Sequence, residues 1–153
     1  AASHGHCFVG TTKQGIVAIV QSKGNKNCHV ILRGGTRSGP NYDAAHVAET
    51  KEQLEKANLP SNIMIDCSHG NSNKDHNRQP IVAAEIATQI RNGEENIIGV
   101  MIESHIKAGK QSLTDMAKLQ YGVSITDACI DLDMTEHVLS NLAGAKKVQM
   151  GRA

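Results

Sequence analysis

Short continuous apolar runs alternate along this chain with longer stretches in which apolar residues return every three or four positions. From Cys7 to Val20, "CFVG" and "GIVAIV" flank the polar "TTKQ", which predicts an antiparallel hairpin over residues 7–20. After the Gly/Asn loop "QSKGNKN", the run "HVILRGG" is apolar up to Arg33, the pattern of a strand buried on both faces. Val47, Leu54 and Ala57 then share one helical face, with Asn41 or Asp43 available as cap and Pro60 just past the end. A second strand ends in "IMIDCSHGN". The helix after it carries Val82, Ile86 and Ile90, with Pro80 in its first turn and Gly93 beyond its last. "NIIGVMIESH" predicts a third buried strand, a polar stretch crosses to "SITDACI", and Thr135 is the expected cap of a closing helix carrying Val138, Leu139 and Leu142.

Strand and helix in strict alternation are the grammar of a parallel α/β sheet. The strands start near His29, Asn62 and Asn96, at roughly equal intervals of one βα unit, with negligible residue similarity between units. A doubly wound sheet or part of a (β/α)8 barrel would both give this period. One feature favours the barrel: each strand delivers an ionisable residue at its C-terminal end, namely Arg33, His69 (just past Asp66) and Glu103. In barrels that is the catalytic face.

Composition narrows the function classes. With 153 residues, 39% of them hydrophobic, the chain can fill one core and does not promise two. Lys and Arg number 16 against 15 acids, and Phe8, Tyr42 and Tyr121 are the only aromatics, so neither a basic stripe nor a base-stacking platform for nucleic acid is present. No apolar run approaches the roughly twenty residues of a membrane span, and no charged-then-apolar leader opens the sequence. Cys7, Cys28, Cys67 and Cys129 are widely spread without a C-x-x-C pair, which favours reduced thiols and a cytoplasmic location.

Candidate chemistry gathers at the strand ends. Arg33 beside Gly34 and Gly35 pairs a planar guanidinium with backbone that a phosphate or carboxylate can approach closely; a salt bridge at the sheet rim is the competing reading. His69, Glu103 and Asp127 offer one imidazole and two carboxylates, a set suited to a divalent metal such as manganese, iron, cobalt or zinc. Their spacing does not impose a metal, and a turn histidine, an ion-pair carboxylate and a helix-capping aspartate account for the same residues one at a time.

Taken in order, "HVILRGG" with "PNY", "MIDCSHGNSNKD" with "RQP", "IIGVMIESHI" with "GKQSL", and "YGVSITDACI" resemble the C-terminal half of a 3-deoxy-D-arabino-heptulosonate 7-phosphate (DAHP) synthase of the microbial type regulated by aromatic amino acids. The resemblance covers nearly the whole chain. It implies a partial (β/α)8 catalytic domain over residues 1–153 with an added regulatory hairpin. It also implies condensation of phosphoenolpyruvate with erythrose 4-phosphate, the first step of the shikimate pathway, dependent on one divalent metal. By the same resemblance His69, Glu103 and Asp127 match three of four metal ligands, His69 is a catalytic residue between metal and substrate, and Arg33, His69 and Asp127 contact substrate.

The fourth ligand, a cysteine, and most substrate-binding cations of that family belong to an N-terminal half that this sequence does not match. Cys67, within "DCSH", does not replace that cysteine. A fragment is therefore the expectation, inactive alone, completed by the missing half and assembled as a homo-oligomer; a non-catalytic regulatory or barrel-completing module is the alternative. Phe8, Gly10 and Val20 match positions of an inhibitor pocket for tyrosine or phenylalanine. Gly10, smaller than the serine of phenylalanine-regulated members, resembles the tyrosine-regulated type.

Overall fold

The computed structural model describes residues 4–151; the outermost ends of the expected 1–153 domain lie outside them. The first elements are strands β1 (Cys7–Thr11) and β2 (Val17–Gln21), paired antiparallel as expected. Their turn closes through the Thr12 amide donating to Ile16 O and the Gly15 amide to Thr12 O, both at 2.9 Å. Gly15 takes φ 79° there, a conformation that disfavours side-chain-bearing residues. Phe8 pairs with Val20 and Gly10 with Ala18 on one face, while Val9 and Ile19 pair on the other. That second face is open: Val9 is 74% and Ile19 80% exposed.

Five elements then alternate: β3 (Val30–Leu32), α1 (Ala44–Lys56), β4 (Ile63–Asp66), α2 (Gln79–Arg91) and β5 (Ile97–Met101), followed by α3 (Leu132–Met150). The three strands form a parallel sheet in the order β3-β4-β5, with Val30 beside Ile63 and Ile63 beside Ile97. The order never reverses. Right-handed crossovers therefore place α1 and α2 on the same face, as in singly wound α/β architectures; a doubly wound sheet needs a reversal to bring helices to both faces.

One-sided cover corrects the expectation that the first parallel strand is buried on both faces. Leu32 and its sheet neighbours Ile63 and Ile65 are buried against the helices, whereas Ile31 points the other way and is 51% exposed. Between β4 and β5 the register slips by one residue, leaving Ile98 without a partner and 52% exposed. The core joins Leu32, Ile63 and Ile65 to Val47 of α1, Val82 and Ile86 of α2 and Val138 of α3. Truncating a side chain as completely buried as Ile65 costs about 2–5 kcal/mol.

Helix ends explain where each crossover stops. Asp43 caps α1, its Oδ1 accepting from the Ala45 and His46 amides; Ala57, expected on the buried face, is instead the exposed C-cap residue. Pro80 sits in the first turn of α2, where a missing amide hydrogen costs nothing. For α3 the cap is Asp131, accepting from the Met134 amide at 2.9 Å. Thr135, expected in that role, lies one turn inside and donates its hydroxyl to Asp131 O. Of the three residues expected on the apolar face of α3, Val138 is buried and Leu142 packs against the core, but Leu139, about 100° round the helix from Val138, is 52% exposed.

A candidate metal and anion site at the strand ends

Arg33 follows β3 directly, His69 comes three residues after β4 ends, and Glu103 two residues after β5 ends. Asp127 arrives on the segment that continues the sheet beyond β5. "SITDACI" makes only isolated bridges, Ile130 pairing parallel to Ser104 and its amide donating to Glu103 O at 3.0 Å. Side-chain ligand atoms of His69, Glu103 and Asp127 all lie within 4.8 Å of one another, and His69 Nε2 is 3.7 Å from Glu103 Oε1. Two ligand atoms about 2.1 Å from a common ion stand no more than about 4.2 Å apart, so the His69–Glu103 spacing suits an ion as it stands. Asp127, exposed on a loop, has the freedom to close the remaining gap. One imidazole nitrogen and two carboxylates suit a first-row divalent metal.

These groups line a cavity of about 210 Å³ together with Arg33, Lys74 and Lys110. Three cations thus face the three ligands. Arg33 and Lys74 also border an adjoining cavity of about 340 Å³ floored by the Gly34–Gly35 and Gly70 backbone. The larger groove of about 500 Å³ around Tyr42 and Ile81 holds no comparable cluster.

Behind the exposed groups is a layer of buried polar residues to which sequence reasoning assigned no role. Asp66, 2% exposed, accepts from the Ser68 amide at 2.7 Å and from His69 Nδ1 at 2.8 Å. That bond places the proton on Nδ1 and leaves Nε2 facing Glu103, the carboxylate–histidine arrangement that orients metal-binding imidazoles. Ser68 Oγ donates to Glu103 Oε2 at 2.5 Å. Gln79, in the first turn of α2, holds the Glu103 backbone at both ends: its Oε1 accepts the Glu103 amide and its Nε2 donates to Glu103 O. In the sequence this layer is marked only by the spacing D-x-x-H in "DCSH", from which no role was read.

Arg33 and His69 are held in mutual register by their loops. Asn71, fully buried, donates to Leu32 O and Asp66 O and accepts from the Asn41 amide; Asn41 Oδ1 in turn accepts from the Gly34 amide at 2.7 Å. Gly34 and Gly70 lie back to back, so closely that a Cβ on Gly70 would come within 2.5 Å of Gly34 C and Gly35 N. His69 itself takes φ 46°, a left-handed conformation uncommon outside glycine that concentrates at functional sites.

Cys67 belongs to the core. It is completely buried, and burial, reinforced by the neighbouring Asp66 charge, pushes its thiol up to about 12, the opposite of what a metal-binding thiolate needs. All four cysteines are free thiols. Phe8, Gly10 and Val20 gather on one hairpin face, where a Cβ on Gly10 would sit 3.0 Å from Val20 Cγ2 and 3.5 Å from Phe8 Cε2. None of the three lines the cavity of the ligand cluster.

Ionisable side chains converging at the C-terminal ends of parallel strands are the arrangement of α/β enzymes. Within that class the chain belongs to the DAHP synthetase I family, whose sequence profile matches residues 1–140. It is 54% identical to the tyrosine-inhibited phospho-2-dehydro-3-deoxyheptonate aldolase of Schizosaccharomyces pombe, over 97% of this chain and 41% of that protein. Identity to the Phe-sensitive phospho-2-dehydro-3-deoxyheptonate aldolase of Escherichia coli K12 is 52%, over 99% of this chain and 43% of the relative. The solved phospho-2-dehydro-3-deoxyheptonate aldolase of Francisella tularensis SCHU S4 superposes with a TM-score of 0.90 at 48% identity, covering 97% of this chain and 42% of that one. The chain therefore spans about two-fifths of the length of these relatives.

Proposed function

We propose that these residues form the C-terminal part of a (β/α)8 barrel whose complete form is a DAHP synthase, condensing phosphoenolpyruvate with erythrose 4-phosphate and water to give DAHP and phosphate. The convergence of His69, Glu103 and Asp127 within 4.8 Å carries this reading. The unreversed strand order and the helix-free sheet face bearing Ile31 support the barrel. An added N-terminal half would continue the sheet from its open edges.

His69, Glu103 and Asp127 would hold one divalent ion, manganese, iron, cobalt or zinc. When bound it supplies Lewis-acid polarisation of the aldehyde oxygen. Arg33 binds the phosphate of phosphoenolpyruvate through charge-assisted hydrogen bonds. His69 and Asp127, at the same cavity wall, position the two substrates so that the methylene carbon of one faces the aldehyde carbon of the other. A carbon–carbon bond forms there, the aldehyde oxygen takes up a proton, water adds to the enol carbon and phosphate leaves. In the full-length protein Arg33→Ala should lower kcat/KM for phosphoenolpyruvate at least about tenfold, given roughly 1.5–3 kcal/mol for a hydrogen bond to a charged group. Unchanged kinetics would remove Arg33 from the phosphate site.

The hairpin supports a regulatory part for Phe8, Gly10 and Val20, as lining of a tyrosine or phenylalanine site. Relatives named tyrosine-inhibited and Phe-sensitive give the ligand class. Open apolar residues at Val9 and Ile19 need cover, which a homo-oligomer of the complete protein provides. No described helix is long and apolar enough to cross a membrane, consistent with a cytoplasmic enzyme.

A further inference from the structure

We propose that Asp66 is a positioning residue that links cation binding at His69 to anion binding at Arg33, each raising the affinity of the other; the inference rests on the metal and phosphate reading above. Its basis is a single shared atom. Asp66 Oδ2 accepts from His69 Nδ1 at 2.8 Å, and the same oxygen lies 3.9 Å from Arg33 Nε. Its other oxygen is committed to the Ser68 amide. Being 2% exposed, the carboxylate has little water to share its charge, so what His69 takes from Oδ2 is withdrawn from Arg33.

The direction follows from this sharing. A cation on Nε2 draws electron density through the ring and makes Nδ1–H a stronger donor to Oδ2. The hold of Oδ2 on Arg33 weakens. That contact is already longer than a hydrogen bond, and the Arg33 side chain is 60% exposed and borders the cavity, so the guanidinium is free to turn to an anion. In reverse, an anion that draws Arg33 away leaves Oδ2 to His69 alone and makes Nε2 the better ligand. Equilibrium linkage requires the two effects to be equal.

Asp66→Asn tests the shared oxygen specifically. Both carboxylate oxygens act as acceptors, and an amide has only one: it loses either the Ser68 amide or the His69 Nδ1 proton. Arg33→Lys keeps the positive charge for the anion but removes Nε, and at so exposed a side chain it leaves folding intact. Ser68→Ala is the control, because its hydroxyl touches Glu103 and not Oδ2.

Manganese affinity of the full-length protein would be read by electron paramagnetic resonance of the free ion, with and without saturating phosphoenolpyruvate. The ratio of the two affinities is the linkage. In the parent it should be on the order of tenfold, within the usual range for coupled sites. Ser68→Ala should weaken manganese binding and keep the ratio; Asp66→Asn and Arg33→Lys should bring the ratio down to the weaker through-space attraction of opposite charges, about two- to threefold. A parental ratio retained in Arg33→Lys overturns the inference while the metal reading stands, and it decides the matter even if Asp66→Asn does not fold. A parent that binds no manganese in either condition overturns the metal reading and the linkage with it.

Discussion

Ser68 and Glu103 come from the ends of different strands, yet Ser68 Oγ donates to Glu103 Oε2 at 2.5 Å while Glu103 Oε1 faces His69. One carboxylate oxygen is thereby tethered and the other presented. Removing the hydroxyl leaves the carboxylate free to rotate, so Ser68→Ala in the full-length protein should weaken divalent-metal affinity by about 10–100-fold with little change in melting temperature. Calorimetric titration with manganese, beside a thermal melt, checks both halves of this expectation.

The Gly34–Gly70 contact sets the distance between the anion and metal halves of the site. Because a Cβ at Gly70 meets backbone at 2.5 Å, neither side can yield by a rotamer change. Gly70→Ala should destabilise the protein by about 1–3 kcal/mol and lower activity beyond what stability explains. Gly144, inside α3 with nothing within 4 Å of a built Cβ, is the contrast: alanine there should stabilise by about 0.5–1 kcal/mol. Melting curves of the two variants should move in opposite directions.

Much of this arrangement was legible in the sequence, and the limits have physical causes. Strands and helices were readable because burial enforces period, and Arg33, His69 and Glu103 were conspicuous as charges placed directly after apolar runs. Asp66, Ser68, Gln79 and Asn71 were passed over because their value lies in partners from distant segments; a buried polar residue in "MIDCSH" cannot be told from a loop start by its neighbours alone. Capping produced another difference. Both Asp131 and Thr135 are good N-cap residues, and their local sequence does not decide between them; Asp131 caps α3, and separately Leu139 lies in solvent about 100° round the helix from the buried Val138. Exposure of Ile31 could not be foreseen either, since an apolar strand run reads the same whether helices cover one face or both.

Cys67 should make the fold sensitive to alkali. Its thiol titrates near 12 in the folded chain against a reference of 9.0, so between those values the unfolded state has released a proton that the folded state retains. Stability from this thiol is complete below about pH 9 and is lost as pH rises toward 12, with a limiting slope of about 1.4 kcal/mol per pH unit. Cys67→Ala deletes the titration. Denaturant unfolding of parent and variant from pH 8 to 11 should show their stability difference shrinking as pH rises; a constant difference would contradict the assignment.

Gly10 gives the hairpin its own test. Serine there brings a Cβ to 3.0 Å from Val20 Cγ2 and adds a hydroxyl beside Phe8, a small crowding on the face proposed for the inhibitor. In the full-length protein Gly10→Ser should alter the ratio of tyrosine to phenylalanine inhibition and leave uninhibited turnover nearly unchanged, since Gly10 does not line the ligand cavity. Inhibition curves for both amino acids measure it, and identical curves before and after would reduce the hairpin to structure.

The 153 residues alone should catalyse no condensation. The three-stranded sheet leaves β3 as an edge with unpaired backbone groups and only isolated bridges past the end of β5, and Ile31, Val9 and Ile19 lie open, so the isolated chain should associate with itself or with the rest of the proposed barrel. The chemistry fails on separate grounds. Three ligand side chains and the cations Arg33, Lys74 and Lys110 at one cavity wall must contend with two phosphorylated substrates, and the site is open where the remainder of a barrel would exclude water. Electrostatic stabilisation of the reacting groups is weak in so wet a cleft. Phosphate release from phosphoenolpyruvate and erythrose 4-phosphate with added manganese should stay at background for the chain by itself. Co-expression with the remainder of the proposed barrel should restore it. Turnover by the lone chain at the level of a full-length relative would require a complete site within these residues and would defeat the partial-barrel reading.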